Sequence, residues 1–108
     1  MRLYKCPYLG KDVEFSDERE NHISNNHPDL LPKFLSQIEL TLANPDQVNR
    51  SLRMSTARVF YKKFDEISQG KFLAVVVVTE SMRITRHWII TAYITRRVAD
   101  GEIEWSKI

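Results

Sequence analysis

Cysteine occurs once in the 108 residues, at Cys6, so no internal disulfide can form, and no CxxC pair is present to bind zinc or run redox chemistry. No apolar stretch approaches the roughly 18 to 20 residues of a membrane helix, and FLAVVVV at 72–78 is far too short. The N-terminal MRLYKCPYLG lacks the apolar core of a secretory signal, so export by that route is not expected and a cytoplasmic protein, not bound to membrane, is. A glycine-rich phosphate loop, a GxSxG elbow and a pair of carboxylates at diagnostic spacing are also missing, which argues against nucleotide-driven and α/β-hydrolase chemistry. Hydrophobic residues at 43% and charged residues at 28% leave a single globular domain spanning 1–108, with no room for a second core.

Charge is small in sum, +2, but unevenly divided. Residues 1–47 carry five Lys/Arg and eight Asp/Glu, a balance of −3, whereas residues 48–108 carry eleven and six, a balance of +5. An acidic half joined to a basic half fits a surface with one positive face, which would favour a polyanion. The plainer explanation is a sheet whose exposed positions carry solubilising Lys and Arg. A net charge of +2 does not by itself require nucleic acid.

The order of elements can be read along the chain. LYKCPY and DVEF flank Leu9-Gly10-Lys11 as a hairpin turned by Gly10. Ser16 and Asp17 offer N-cap oxygens, and Asp17 with Glu20 has the form of a capping box that starts a short helix over about 17–25. Pro28 ends it near His27. Leu31, Phe34, Leu35, Ile38 and Leu42 then recur at spacings of three and four, which predicts an amphipathic helix over 29–43 with Pro32 in its first turn. Asn44-Pro45-Asp46 stops it.

From Val48 the period becomes two, and strands are expected at about 48–54, 57–64, 71–79 and 86–95, with a short last one through Ile103-Glu104-Trp105 after an Asp100-Gly101 turn. The connections, including Asp65 to Gly70 and Glu80 to Thr85, are too short for parallel crossovers. The fold class is therefore α+β: an N-terminal hairpin and two helices, followed by an antiparallel sheet of about four strands with a helix packed on one face. Phe72 to Val78, apolar at nearly every position, reads as a central strand covered on both faces. In 86–95 the alternation puts Trp88, Ile90, Ala92 and Ile94 in the core and His87, Ile89, Thr91, Tyr93 and Thr95 on a more polar face.

Two constellations carry chemistry. His22 and His27, in HISNNH, are five apart, which rotates them by about 140° on a helix, so they do not share the face a zinc helix needs. Their alternatives are a structural role near a helix end and a general acid or base working near neutral pH. No metal and no cofactor are expected. The second set comprises Arg50, Arg58, Tyr61, Lys62, Lys63, Thr91, Tyr93, Thr95, Arg96 and Arg97. Singly these read as solvated edge residues; gathered on one sheet face they would hold phosphates through guanidinium forks, with tyrosines stacking on bases. Trp88 and Trp105 read as packing residues and Cys6 as incidental.

The succession HISNNHPDL, LLPKFLSQIELTLANPDQV, ARVFYKKF, FLAVVVV and WIITAYITRR over about residues 12 to 97 resembles the small domains of the barnase–EndoU–colicin–RelE nuclease fold, especially phage- and bacteria-borne groups with a His-Ile…His-Pro segment and a final Ile-Thr-Ala-Tyr strand. Members of that fold are typically metal-independent ribonucleases, often toxins or effectors. The resemblance implies cleavage of single-stranded RNA through attack of the 2′-hydroxyl, with an antitoxin or immunity protein as partner. It carries His22, His27, Thr91, Tyr93 and Arg96 over as site positions, and Arg58 and Tyr61 more weakly. On this reading His22 or His27 is base or acid, Arg58 or Arg96 stabilises charge, Thr91 or Tyr93 positions the substrate, and Lys62, Lys63 and Arg97 help bind RNA. The competing expectation is a non-catalytic RNA- or protein-binding module of the same fold, in which the two histidines lie far from the basic sheet face.

Overall fold

A computed structural model describes residues 1–67, 70–98 and 101–107. Its strands are β1 (Arg2–Cys6), β2 (Lys11–Phe15), β3 (Gln47–Arg50), β4 (Ala57–Lys63), β5 (Phe72–Ser81), β6 (Thr85–Thr95) and β7 (Glu102–Ser106), and its helices are α1 (Asp17–Asn26) and α2 (Leu35–Ala43). The fold is α+β. The strands make one sheet in the order β1-β2-β6-β5-β4-β3-β7.

That sheet is larger than the four antiparallel strands expected, and it is mixed. β3, β4, β5 and β6 pair antiparallel, with Phe60 opposite Val75 and Val75 opposite Ala92. The N-terminal hairpin, however, joins the sheet through a parallel contact, Val13 beside His87 and Glu14 beside Trp88. Short loops predicted antiparallel neighbours correctly for β4 to β6. The parallel pair is made by a long connection, because both helices lie between β2 and β3 in the chain.

Local chemistry fixes most boundaries. Gly10, at φ +70, turns the β1–β2 hairpin, a conformation other residues adopt at a cost. Ser16 caps α1, its hydroxyl accepting from the Arg19 N–H at 3.2 Å. The capping box expected from Asp17 and Glu20 does not form, since the Glu20 carboxylate accepts from Arg2 Nε at 2.9 Å instead. α2 begins at Leu35 rather than near residue 29. Pro32 disfavours helical backbone at Leu31, and 28–34 runs as successive turns, with a cis Leu31–Pro32 bond. The apolar stripe survives this change: Leu31, Phe34, Ile38 and Leu42 are buried and Leu35 half-buried. β3 ends at Arg50, short of residue 54, because the Ser51 hydroxyl accepts from the Arg53 and Met54 N–H groups and starts a turn. Asp100 of the expected Asp100-Gly101 turn and residues 68 and 69 of the Asp65 to Gly70 connection lie outside the described residues.

The sheet has two different faces. One packs Phe15, Phe60, Leu73, Val75, Val77, Ile89 and Ala92 against Ile23, Ile38 and Leu42 of the helices. The other buries Val59, Tyr61 and Ala74 beneath Phe72, Val76, Tyr93 and Val98. β5 is thus covered on both sides, as its unbroken apolar run requires.

The alternation expected for β6 holds only in part. Its pairing with β5 shifts between Val76 and Val77, which face Thr91 and Ile89 and leave Ile90 as an extra residue. The bulge reverses the phase, so His87 and Ile89 are buried on the helix side along with Ala92, whereas Tyr93 lies on the opposite face and Trp88 is half-buried. One extra residue moves a histidine from the surface into the core layer.

Ile38 is fully buried between helix and sheet. Ile38→Ala is expected to lower unfolding free energy by about 2 to 5 kcal/mol. The exposed Leu40→Ala on the same helix should stay within about 0.5 kcal/mol. Urea denaturation followed by far-UV circular dichroism checks both, and equal effects would place α2 elsewhere.

Candidate functional site

A cluster of polar side chains follows from strand register. Thr79 on β5 is the direct partner of His87 on β6, and the Thr79 hydroxyl lies 2.7 Å from His87 Nδ1. His87 is 4% exposed. If the hydroxyl accepts from Nδ1–H, Nε2 keeps its lone pair; if it donates, Nε2 carries the proton. Arg58, on β4, completes the row: its Nη1 reaches the same hydroxyl at 3.4 Å.

Glu104 enters from the far edge of the sheet. β7 pairs with β3 through Val48–Trp105 and Asn49–Ile103, so Glu104 is the extra residue of a bulge. Its Oε1 accepts from Arg58 Nε at 2.7 Å and from the Tyr8 hydroxyl at 2.6 Å. Arg50 donates to Oε2 through Nε and Nη2, both at 2.8 Å. Tyr8 comes from the β1–β2 turn and is held by an edge-on contact with Phe60, centroids 5.8 Å apart, and a tilted one with Trp105 at 6.0 Å. The parallel β2–β6 pairing brings in Lys11, whose Nζ donates to the Thr85 carbonyl at 2.8 Å. Tyr8, Lys11, Arg58, Thr79, His87 and Glu104 line an open cleft of about 510 Å³.

Electrostatics sort the groups by what they can do. Burial would raise the Glu104 pKa, but the hydrogen bonds from Tyr8, Arg58 and Arg50 outweigh it and hold the carboxyl at about 2, so it is an anion at any ordinary pH. Burial and the same anion push the Tyr8 phenol up to about 12. His87 is displaced downward, first by burial and then by the Arg58 and Lys11 charges, so its imidazole is neutral at pH 7. A neutral imidazole beside a fixed guanidinium can accept a proton while positive charge is held close by. Cys6, buried and with its thiol pushed up by burial, has no comparable setting. Among the described residues no three His, Cys, Asp or Glu are grouped so as to hold a metal ion, and no helix is long and apolar enough to cross a membrane.

The residues singled out from sequence do not meet in one place. Arg58 lies in the cleft and Arg50 at its Glu104 end. Tyr61, fully buried, and Tyr93, half-buried, belong to the opposite sheet face, and Thr91 shares the Tyr93 side of β6. His22 is exposed on α1, where Asn26 Nδ2 lies 3.3 Å from its Nδ1 and donates to its carbonyl at 2.8 Å. His27 is the half-buried C-cap of that helix. The sheet thus stands between the α1 layer and the Thr91/Tyr93 face. Lys62 is drawn to Asp46, Nζ to Oδ1 at 3.5 Å, and Lys63, Arg96 and Arg97 are exposed.

Sequence reading placed His87 on a polar face and did not select Tyr8, Lys11, Thr79 or Glu104. A signal for part of the site was present. A tight turn centred near residue 83 sets Thr79 opposite His87, which joins a hydroxyl to an imidazole. Glu104 and Tyr8 meet only through tertiary structure.

The downward displacement of His87 has a sign that can be checked. The unfolded chain binds the proton more readily, so the stability gained from keeping His87 neutral is fully present above about pH 6.5 and is lost as pH falls through its folded value. Imidazole titration by NMR should give a midpoint below 6.5, moving upward in Arg58→Gln. An unshifted midpoint would mean that the ring is solvated. Compared with protein-family models, with curated proteins and with solved structures, the chain matches none of them.

Proposed function

We propose that this chain is a metal-independent ribonuclease domain, toxin-like or derived from a phage or prophage, that cleaves single-stranded RNA through 2′-hydroxyl attack, with the His87 cleft as its site. The observation that carries the proposal is the neutral His87 imidazole, bridged through Thr79 to the Arg58 guanidinium in an open, cation-lined cleft. Transesterification of RNA needs a group to take the 2′-hydroxyl proton and positive charge aimed at the phosphorane. His87 supplies the first, Arg58 and Lys11 the second, and Thr79 orients the imidazole and the guanidinium. The proton taken from the 2′-hydroxyl returns to the departing 5′-oxygen, leaving a 2′,3′-cyclic phosphate.

The resemblance to the barnase–EndoU–colicin–RelE fold supports the same chemistry, although the groups that meet in the cleft are not the histidines that the resemblance carries over. An activity of this kind would belong in the cytoplasm and would call for an antitoxin or immunity protein covering the cleft. One observation favours the second reading, a non-catalytic RNA- or protein-binding module: Arg50 and Arg58 are already paired with Glu104, which lowers the free positive charge.

Mixed-sequence RNA incubated at low salt in EDTA separates these readings. Wild type should cut it to cyclic-phosphate ends, and His87→Ala should lose about 10²- to 10⁴-fold in rate. Arg58→Ala should lose rate too, while His22→Ala, His27→Ala and Tyr93→Phe remain close to wild type. Binding without cleavage would favour the module, and neither binding nor cleavage would end the nucleic-acid reading. Cleavage that survives in His87→Ala but fails in His22→Ala or His27→Ala would move the chemistry to α1.

A further inference from the structure

The Glu104 carboxylate occupies a setting that no isolated ion pair needs. It accepts from Tyr8 Oη, Arg50 Nε and Nη2, and Arg58 Nε, all within 2.6 to 2.8 Å. Two guanidinium groups and a phenol aimed at one pair of oxygens is the donor set that suits a phosphate, whose planar O–P–O edge matches a guanidinium fork as a carboxylate does.

The carboxylate is also weakly tethered compared with its donors. Arg58 lies on β4, between β3 and β5, whereas Glu104 lies on the edge strand β7, whose five residues are all exposed. Glu104 is the bulge residue there, so it contributes no regular rung to the β3–β7 ladder. Its side chain is nonetheless tucked in at 23% exposure while its backbone stays on the surface. Arg58 is thus held on an inner strand, whereas the acceptor is carried by an edge strand.

We infer that Arg50, Arg58 and Tyr8 form a phosphate-binding seat that Glu104 fills in this state, and that β7 must give up that contact before a phosphoryl group can bind. The inference rests on the proposed nuclease reading only for the identity of the larger ligand, since the seat lies beside His87 through Arg58 and Thr79. Removing Glu104 would leave Arg58 and Lys11 in the cleft with no carboxylate among its lining residues, and would free the Arg50 fork that now reaches Glu104.

Inorganic phosphate is the probe, titrated against chloride at matched ionic strength by calorimetry. Glu104→Ala should bind phosphate at least tenfold more tightly than wild type, and Glu104→Ala/Arg58→Gln should lose that gain. A Glu104→Ala protein with wild-type circular dichroism but unchanged phosphate affinity overturns the inference, as does a gain that survives loss of Arg58. Should the variant fail to fold, wild type decides the matter: saturating phosphate should speed amide hydrogen exchange in 102–106, and unchanged exchange overturns the seat.

RNA cleavage then separates the two proposals. A Glu104→Ala variant that binds phosphate tightly but cuts no RNA keeps the seat and removes the nuclease. Wild type that cuts RNA, with a variant that binds phosphate no better, keeps the nuclease and removes the seat. A rise in kcat/KM through KM supports both. Loss of cleavage in Glu104→Ala with wild-type phosphate affinity would make the carboxylate part of the chemistry and overturn its role as occupant.

Discussion

The Glu104 carboxylate ties together segments that the chain visits at its start, middle and end: the hairpin turn through Tyr8, β3 through Arg50, β4 through Arg58, and β7 through its own backbone. Burying charge costs free energy, and mutual attraction offsets that cost only where the remaining hydrogen-bonding capacity is also met. Here both carboxylate oxygens are used, and Arg58 spends a further N–H on Thr79. Loss of any single partner would leave the others charged in a half-desolvated place. The cluster therefore sets where the hairpin turn stands over the sheet, and with it the width of the cleft.

A second constraint is the parallel step between β2 and β6. It converts a free-standing hairpin into the last two strands of the sheet and forces the chain to cross the helix face before it resumes at β3. The crossing explains how an acidic first half comes to neutralise a basic second half. Glu14 takes a two-pronged hydrogen bond from Arg86, at 2.7 and 2.9 Å, and Asp46 meets Lys62. Arg86 and Lys62 are thus answered from the first half of the chain, and Arg50 and Arg58 by Glu104 of their own half.

What was legible in the sequence follows the range of the interaction responsible. Gly10, the Ser16 cap, the apolar run of β5 and the Ile38/Leu42 stripe are decided by neighbours within a turn or two, and these stand where the pattern puts them. The start of α2 moved because Pro28 and Pro32 together keep 28–34 out of helix while leaving its leucines free to pack. The side of the sheet on which His87 falls depends on a one-residue bulge, and alternation carries no record of where a strand takes its extra residue. Glu104 was still less accessible. It is aimed by a second bulge, on a strand that joins β3 at the edge of the sheet opposite the hairpin.

The two bulges have opposite consequences for mobility. The one in β6 lies on a strand flanked by β5 and β2, so the inward turn of His87 is locked by pairing on both sides. The one in β7 lies on a strand with a single strand neighbour, where local opening needs the β3 ladder, the Glu104 hydrogen bonds and the Tyr8–Trp105 contact to part. Gly101, at φ +88, sits at the start of that strand against the Arg50 carbonyl, where a side-chain carbon would collide with backbone. Close approach there fixes the pivot from which β7 departs, while nothing beyond β3 holds its outer edge. Imidazole, hydroxyl and guanidinium therefore share the rigidity of the inner strands, and the carboxylate facing them belongs to an edge strand. That separation sets a pre-organised row of donors against an acceptor carried by an edge strand.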